Sequence, residues 1–538
     1  MSTTQSLRSA LTSGLFRSSL YRRMALDGPV PSEVRLKFPW HAPGDRTQAD
    51  AIIGEEFLFF GRRIPFGAIP WSVLPAGAAL AEALHGFTWL ADLSATGTEA
   101  ARLRARALVM GWIMTHRRWS LPAWSPAVLA DRLTSWLATA EFILEGASGD
   151  ERARFLESAG LQARHLRRAI GETSGTDAAF AAVRGDIAAA LCLGIVPLAP
   201  ALDRLDREIG RQIAADGGHP RRNPRVLLRI FRNLVDIRSA LAEAREEAPP
   251  ALQTAIERMA PMLRMLRHGD GRLALFHGAK ESDRTLIDSL LAASKVGTPA
   301  QPSALETGYE RMVAGRTLVL VDVGSPPAGG HLAPLAFEMS LGRERMIVNC
   351  GDYGGDDPRW HAALRSTPAH STLVVEDASA DDAGWLPRRP ARVASLRQET
   401  EGAVWLDGSH EGYRRRFGVI HHRRLYLADG GTDLRGEDTL AGRRHCGYRL
   451  RFHLHPDIVA KPADDGTSVQ LRTASGSLWR FLAVGGAIGL EDSTYLGSTD
   501  QPRKSSQITV SGTTLNGNAR IKWALRQDGG GAGAVTVG

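Results

Sequence analysis

The sequence predicts a multidomain α+β chain, an array of helical hairpins followed by an antiparallel β-sandwich, and three observations predict it. Up to about residue 295, apolar residues recur at three-to-four spacing among Ala, Leu, Arg and Glu, the mark of helices with one buried face. From residue 304 onward the runs are short, often alternating, and separated by Gly, Asp and Ser turns, as strands are. Between them Lys295–Ser303, KVGTPAQPS, is a Gly/Pro-rich linker. The domains are therefore drawn as a basic N-terminal segment (1–50), a helical domain (51–295) and a sandwich domain (304–538).

The elements follow in order. Ala51–Trp71 alternates Phe with Gly and reads as an extended or hairpin-like lead-in. Helices are expected over Gly77–Leu93, Glu99–Arg117, Ser125–Leu144, Asp150–Ile170, Thr176–Leu193, Leu202–Ala215, Pro224–Ala244 and Pro250–Arg267, punctuated by Gly and Pro near their ends. Pairs of helices every ~45 residues fit either a solenoid or a closed α/α toroid. Strands are expected at Arg316–Val323, Leu335–Ser340, Arg345–Cys350, Ser371–Glu376, Ala403–Leu406, Gly418–Ala428, Gly447–His455, Ser468–Leu471, Leu478–Val484, Gln507–Thr509 and Arg520–Leu525. In YRLRFHLHP, Tyr448, Leu450, Phe452 and Leu454 take the core face, leaving Arg449, Arg451, His453 and His455 as a basic row facing solvent. The tail QDGGGAGAVTVG is low in complexity.

Composition narrows the class of function. At 538 residues, 43% apolar and 23% charged, the chain is long enough for two or three full cores. Its +8 charge, with a pI near 9.7, favours anionic partners without choosing among them. Cys192, Cys350 and Cys446 are scattered, so neither a disulfide framework nor a thiolate zinc site is indicated. Arg8, Arg17, Arg22 and Arg23 precede the first acid, Asp27, yet no apolar h-region or Ala-x-Ala site accompanies them. With no legible signal and no run near the ~18 apolar residues of a membrane span, a soluble, cytoplasmic protein is expected.

The stretch Gly329–Ser379 organises the second half, placing His331 and His370 at strand edges or in loops, where ligands and catalysts sit. Within it GGHLAPLAF, GRERMIVNCG and RSTPAHST follow one another at a spacing that resembles the heparinase II/III-like polysaccharide lyases. The pattern there is His-x-His-x-Asp-x-Leu-Ser-Phe, then Gly-Arg-x-x-x-Val-Asp-x-Gly, then Arg-x-Thr-x-Ala-His-Asn-Thr. SHEGYRRRFGVIHHRRLYL, GGTDLRGEDTL, FHLHP and IKW continue the resemblance, which covers most of the chain beyond about residue 50. It implies an incomplete α/α toroid, a β-sandwich, and a cleft between them.

The resemblance also implies chemistry: β-elimination on a uronic-acid-containing, glycosaminoglycan-like polysaccharide, with carbohydrate binding and a place outside the cytoplasm, in the periplasm or cell envelope. An Asn shields the uronate carboxylate, a His or Tyr takes the C5 proton, and a Tyr or His protonates the departing O4. From Arg22 to Gly308 there is no tyrosine, and the only asparagines are Asn223 and Asn233. The family's helical-domain Tyr falls near Val226. Asn223 is thus the carboxylate-shielding candidate, with His219 or His331 as proton carrier, and His219, Arg221, Arg222 and Asn223 form the expected anionic-sugar subsite. Asn223 before Pro224 is equally a helix N-cap that needs no function.

On the other wall Trp360, Arg365 and Tyr413 are substrate-binding candidates. His331, Asn349 and His370 fall on the family's zinc ligands, with Asn349 in the place of an Asp, so the resemblance implies one structural zinc, while the weakened ligand set leaves metal-free, hydrogen-bonded histidines as the other reading. The family's other polar positions hold Gly329 and Ala333, and Asp352 lies close enough in sequence to supply a missing charge. Trp71, Trp89, Trp112, Trp119, Trp124 and Trp136 read mainly as inter-helix packing. Two alternatives stand beside a lyase: a glycan-binding protein of weakened catalysis, and a basic helical array that binds nucleic acid. The latter leaves the second-half motifs unexplained.

Overall fold

The structure is a computed structural model that describes residues 16, 18, 21, 26–41, 43–67, 71, 77–380, 390–463 and 466–528. Most of the first 25 residues and the last ten residues of the tail lie outside the described residues.

The apolar periodicity of the first half becomes helices Ala78–Gly86, Leu90–Thr96, Glu99–Thr115, Pro126–Ala138, Ala140–Leu144, Gly149–Ala169, Ala178–Leu193, Ala199–Gln212, Pro224–Ala244 and Pro250–Met265. Pro126, Pro224 and Pro250 each open a helix where a missing N–H costs nothing, and Ser148 with Glu151 forms a capping box. In this half two helices went unread in the sequence: Arg46–Ile53, capped by Asp45 just before the lead-in hairpin Glu56–Phe59/Arg62–Pro65, and Arg284–Ser294, capped by Asp283. Helix Pro126–Ala138 packs on Ala178–Leu193, which packs on Pro224–Ala244, which packs on Pro250–Met265, an incomplete α/α toroid. Trp71, Trp89, Trp112, Trp124 and Trp136 are buried between its helices. Residues 35–41 lie across it, with Phe38 fully buried and His41 Nδ1 2.7 Å from Asp236.

The last toroid helix ends at Ser294 and the first sandwich strand begins at Ser303. One sheet orders Ala487–Tyr495, Arg503–Thr513, Gly447–Leu454, Glu344–Val348, Phe337–Leu341, Thr317–Asp322, Tyr309–Ala314 and Ser303–Ala304, and Leu373–Val375 also pairs with Gly447–Leu454. The other orders Val459–Pro462, Ser468–Arg472, Leu478–Val484, Ala519–Gln527, Asp433–Gly442, Val419–Leu427, Ala403–His410 and Val393–Thr400. All these pairings are antiparallel.

The first sheet is covered on both faces. In Thr317–Asp322 every residue is buried: Leu318 and Leu320 join the toroid core, while Val319 and Val321 join the sandwich core. The second sheet alternates buried and open positions, so only one of its faces is covered. The double cover overturns one expectation. Arg451, His453 and His455 do not face solvent; they are buried, because loops of both domains close over that row. His453 Nε2 donates to the Pro368 carbonyl at 2.9 Å, and His455 lies 3.9 Å from Glu281 of the toroid.

The domain interface is dense in charge. His268 Nε2 donates to Glu338 (2.9 Å), and Arg345 pairs with Asp270 (2.8 Å). Tyr495 donates to Glu281, and Arg222 and His277 meet on Asp322. Such interlocked pairs fix the relative placement of two walls, which a groove between them requires.

Candidate active site at the domain junction

The toroid wall is built from the turn before helix Pro224–Ala244. Asn223 caps that helix, its Oδ1 accepting from the N–H groups of Arg225 (2.8 Å) and Val226 (3.1 Å), while Nδ2 donates to the His277 carbonyl (2.8 Å). One Nδ2 hydrogen is thereby used and the other is left over. The cap and the site position coincide in one residue.

The neighbours of Asn223 are placed differently from the expectation. His219 is buried; its Nδ1 accepts from the Arg221 N–H at 3.1 Å, so the ring proton sits on Nε2, facing Gln212 Oε1 at 3.1 Å. Burial pushes this histidine down to about 4. With both nitrogens committed it holds the turn together and is no proton carrier. Arg222 is not a sugar ligand either. It is buried with φ +55°, and its guanidinium donates to the carbonyls of Thr307, Gly308 and Ser325 and to Asp322. Arg221 is the exposed member of the pair, its Nη2 3.1 Å from Asp177.

On the sandwich wall the two imidazoles form a directional relay. The Ser366 carbonyl can only accept, so His370 carries its proton on Nδ1 and donates it there at 2.9 Å. His370 Nε2 is then the acceptor for His331 Nδ1, at 2.9 Å. His331 Nε2 is left as a bare lone pair, without a hydrogen bond among the described residues. Burial, joined by the His370 ring, His277 and Arg365, holds His331 well below the usual histidine range, and burial pushes His370 down to about 4. Both rings are neutral at neutral pH, the state a proton acceptor needs.

The two walls meet at Gly278, where φ is +83°. A Cβ there would lie 3.2 Å from His331 Nε2, 3.7 Å from Asn223 Nδ2 and 3.7 Å from Asp352 Oδ1. The glycine thus leaves open the point on which an amide donor, an imidazole acceptor and a carboxyl converge. Burial raises the Asp352 carboxyl, against Lys280, Arg225 and His361. Arg225 and Lys280 also line a cavity of about 550 Å³ with Arg229, Arg232, Arg272, Glu281, Asp283, Gly497 and Ser498, which draws on both domains; its cations outnumber its acids, and among the described residues all of the cations but Arg225 are paired with a carboxylate. Helix Pro358–Arg365 packs on the Phe276–Gly278 turn; it carries Trp360, stacked on Tyr353 with centroids 5.8 Å apart, and Arg365, exposed beside His331.

Two further expectations are corrected. Tyr413 is fully buried in the sandwich core, donating to the Leu373 carbonyl at 2.9 Å, and cannot reach a substrate. Asn349 is also fully buried; its Nδ2 donates to Glu338 (2.9 Å) and its Oδ1 accepts from the Ser371 N–H (3.1 Å). His331, Asn349 and His370 therefore do not fit a zinc site. The rings hydrogen-bond to each other, the amide is committed elsewhere, and no group of three His, Cys, Asp or Glu among the described residues could hold a metal. His277 was missed. It lies in LFHGAK with φ +53°, a rare value for a side-chain-bearing residue, and its Nε2 is 2.8 Å from Asp322. The His-Gly pair before a charged loop was its one local signal.

Comparison with known proteins agrees with this architecture. The family profile "Heparinase II/III-like, C-terminal" matches residues 296–524. "FtsZ-localized protein C" of Caulobacter vibrioides is 30% identical over 518 residues, spanning 90% of this chain and 89% of that protein. Among solved structures, heparinase III superposes with a TM-score of 0.73 at 12% identity, over 96% of this chain and 89% of that one. Heparan sulfate lyase HepC from Pedobacter heparinus gives 0.62 at 16%, over 98% and 91%. The Streptomyces coelicolor A3 chondroitin AC lyase in complex with chondroitin sulphate gives 0.53 at 12%, over 90% and 79%. With its helical and strand domains in this order, and its second half matched by that profile, the chain belongs to the heparinase II/III-like family.

Proposed function

We propose that this protein binds an anionic, uronate-bearing polysaccharide between toroid and sandwich and cleaves it by β-elimination. The observation that carries the reading is the bare His331 Nε2, facing Asn223 Nδ2 across the open side of Gly278. The uronate carboxylate sits against the remaining N–H of Asn223, with Arg225 and Lys280 adding positive charge, which stabilises the enolate-like charge that develops on deprotonation. His331 Nε2 takes the C5 proton. The C5–H electron pair becomes the C4–C5 double bond, the C4–O4 bond breaks, and the imidazolium returns its proton to O4. One histidine serving as base and then acid accounts for a helical domain without tyrosine.

A panel of uronic polysaccharides, followed by the ultraviolet absorbance of unsaturated uronate ends, tests this. At least one substrate is expected to yield product. Tight binding with no product from any of them replaces the reading with a glycan-binding role on the same groove.

A second reading concerns place, and similarity to FtsZ-localized protein C along nearly the whole chain favours it. We infer that this chain also associates with FtsZ. It is expected to co-pellet with assembled FtsZ polymers and to remain in the supernatant without them. Equal amounts in both supernatants would remove this second reading and leave the first untouched.

A further inference from the structure

Arg423 faces inward on strand Val419–Leu427, 2% exposed, and lies between the two sheets. Its Nη1 donates to the Leu335 carbonyl at 2.6 Å and to the Ser371 carbonyl at 3.2 Å. Leu335 ends the loop that begins at His331, and Ser371 directly follows His370. One guanidinium group therefore ties together the two chain segments that carry the paired imidazoles.

The guanidinium is itself held from behind. Arg423 Nε donates to Asp438 Oδ1 at 2.8 Å, and Trp523 Nε1 donates to Asp438 Oδ2 at 2.8 Å. A second imidazole relay ends on the same carboxylate. The Gly412 N–H donates to His410 Nδ1 (3.1 Å), so His410 Nε2 donates to His421 Nδ1 (2.9 Å) and His421 Nε2 donates to Asp438 Oδ1 (2.7 Å). The tautomers are fixed in one direction along the whole chain. Burial works to raise the Asp438 carboxyl, but Arg423 and His421 overcome it and hold it below the ordinary carboxylate range. Arg423 and Asp438 thus form an ion pair inside the sandwich.

The clamped loop is under constraint. Leu335 has φ +59°, unfavourable for a branched side chain, and its side chain presses on Gly408 of the facing strand. A Cβ at Gly408 would stand 2.6 Å from Leu335 Cδ2, so the strand has a glycine where the loop leans in.

We infer that Arg423 is a positioning residue that sets the hydrogen bond between His331 and His370 and so aims the His331 lone pair, an inference that rests on the eliminative reading of the groove. Arg423 touches no substrate; it acts through the two carbonyls. Lysine at this position supplies charge without the planar fork needed to reach two carbonyls and a carboxylate at once.

The test is Arg423→Lys in the full chain, with Arg424→Ala as control, since Arg424 faces outward and pairs with Asp407. Misplacing the base is expected to lower kcat by about 100-fold with KM changed by no more than about twofold, a split that general loosening of the fold would not give. Nitrogen NMR of the imidazoles is expected to show one His331 tautomer in the wild type and in Arg424→Ala, and a mixture in Arg423→Lys. If Arg423→Lys does not fold, His421→Gln, one step further back, is expected to give the same two changes in weaker form. A folded Arg423→Lys protein with wild-type kcat and a single His331 tautomer would overturn the inference. If the wild type makes no product on any substrate, the eliminative reading falls, and the tautomer spectrum alone decides whether Arg423 sets the histidine pair.

Discussion

Alanine at position 331 is expected to lower the rate of unsaturated-product formation by about 1,000-fold while polysaccharide binding changes by no more than a few-fold. The relay runs from Ser366 through His370 and leaves His331 Nε2 as the lone pair beside Asn223 and Gly278. In the proposed reading substrate affinity comes instead from the cavity lined by Arg225, Arg229, Arg272 and Lys280, whose lining does not include His331. Removing a buried ring also opens a void and leaves His370 Nε2 without its donor, so thermal melting must accompany the kinetics. His331→Gln separates the effects: its amide can still donate to His370 but offers no comparable base. Product formation by His331→Gln near the wild-type rate would show that the proton goes elsewhere.

The second large effect concerns the lock between the walls. Asp322→Ala is expected to destabilise the protein by about 3–5 kcal/mol, read as a shift in the urea unfolding midpoint, because it strands a buried guanidinium. Arg222 and His277 both end on this carboxylate, and all three side chains are nearly inaccessible. Burial works to raise the Asp322 carboxyl, and Arg222 with His277 overcomes it, leaving it below the ordinary carboxylate range. Removing both charges, in Arg222→Met with Asp322→Leu, is expected to cost less than the sum of the single changes, since neither charge is then left unpaired. Asp322→Ala within about 0.5 kcal/mol of wild type would show that Arg222 is held by carbonyls alone.

Most helices were legible because they bury one face and keep the period, while Pro126–Ala138 and Ala178–Leu193, buried nearly all round, were legible from their Ala/Leu-rich runs and the Gly and Pro at their ends. Helix Arg284–Ser294 was lost behind a His-Gly loop and a turn. At the site the sequence singled out Asn223, because the helical domain offers only Asn223 and Asn233, and singled out His331 and His370 through their motifs; the Asn before a Pro declared only the cap. It did not separate Arg221 from Arg222. The two are chemically identical, and the turn geometry that buries one depends on carbonyls about a hundred residues downstream. Tyr413 and Asn349 misled for the same reason, since burial of a polar side chain is decided by a distant partner. Arg423 could have been found: in VIHHRRLYL the inward positions of the alternation hold His421 and Arg423, and an inward charge on an amphipathic strand demands a buried partner. The basic row of YRLRFHLHP failed because alternation identifies two faces without saying that the second is also covered.

Elimination, not hydrolysis, is the proposed way in which the groove at Gly278 breaks a glycosidic linkage. Cleavage in heavy-oxygen water, followed by mass spectrometry of the oligosaccharide ends, addresses it most directly. The new ends are expected to be unsaturated, and breaking the linkage is expected to take up no oxygen from solvent. Heavy oxygen incorporated by the cleavage step, or a polysaccharide that remains intact with every uronate tried, would contradict it.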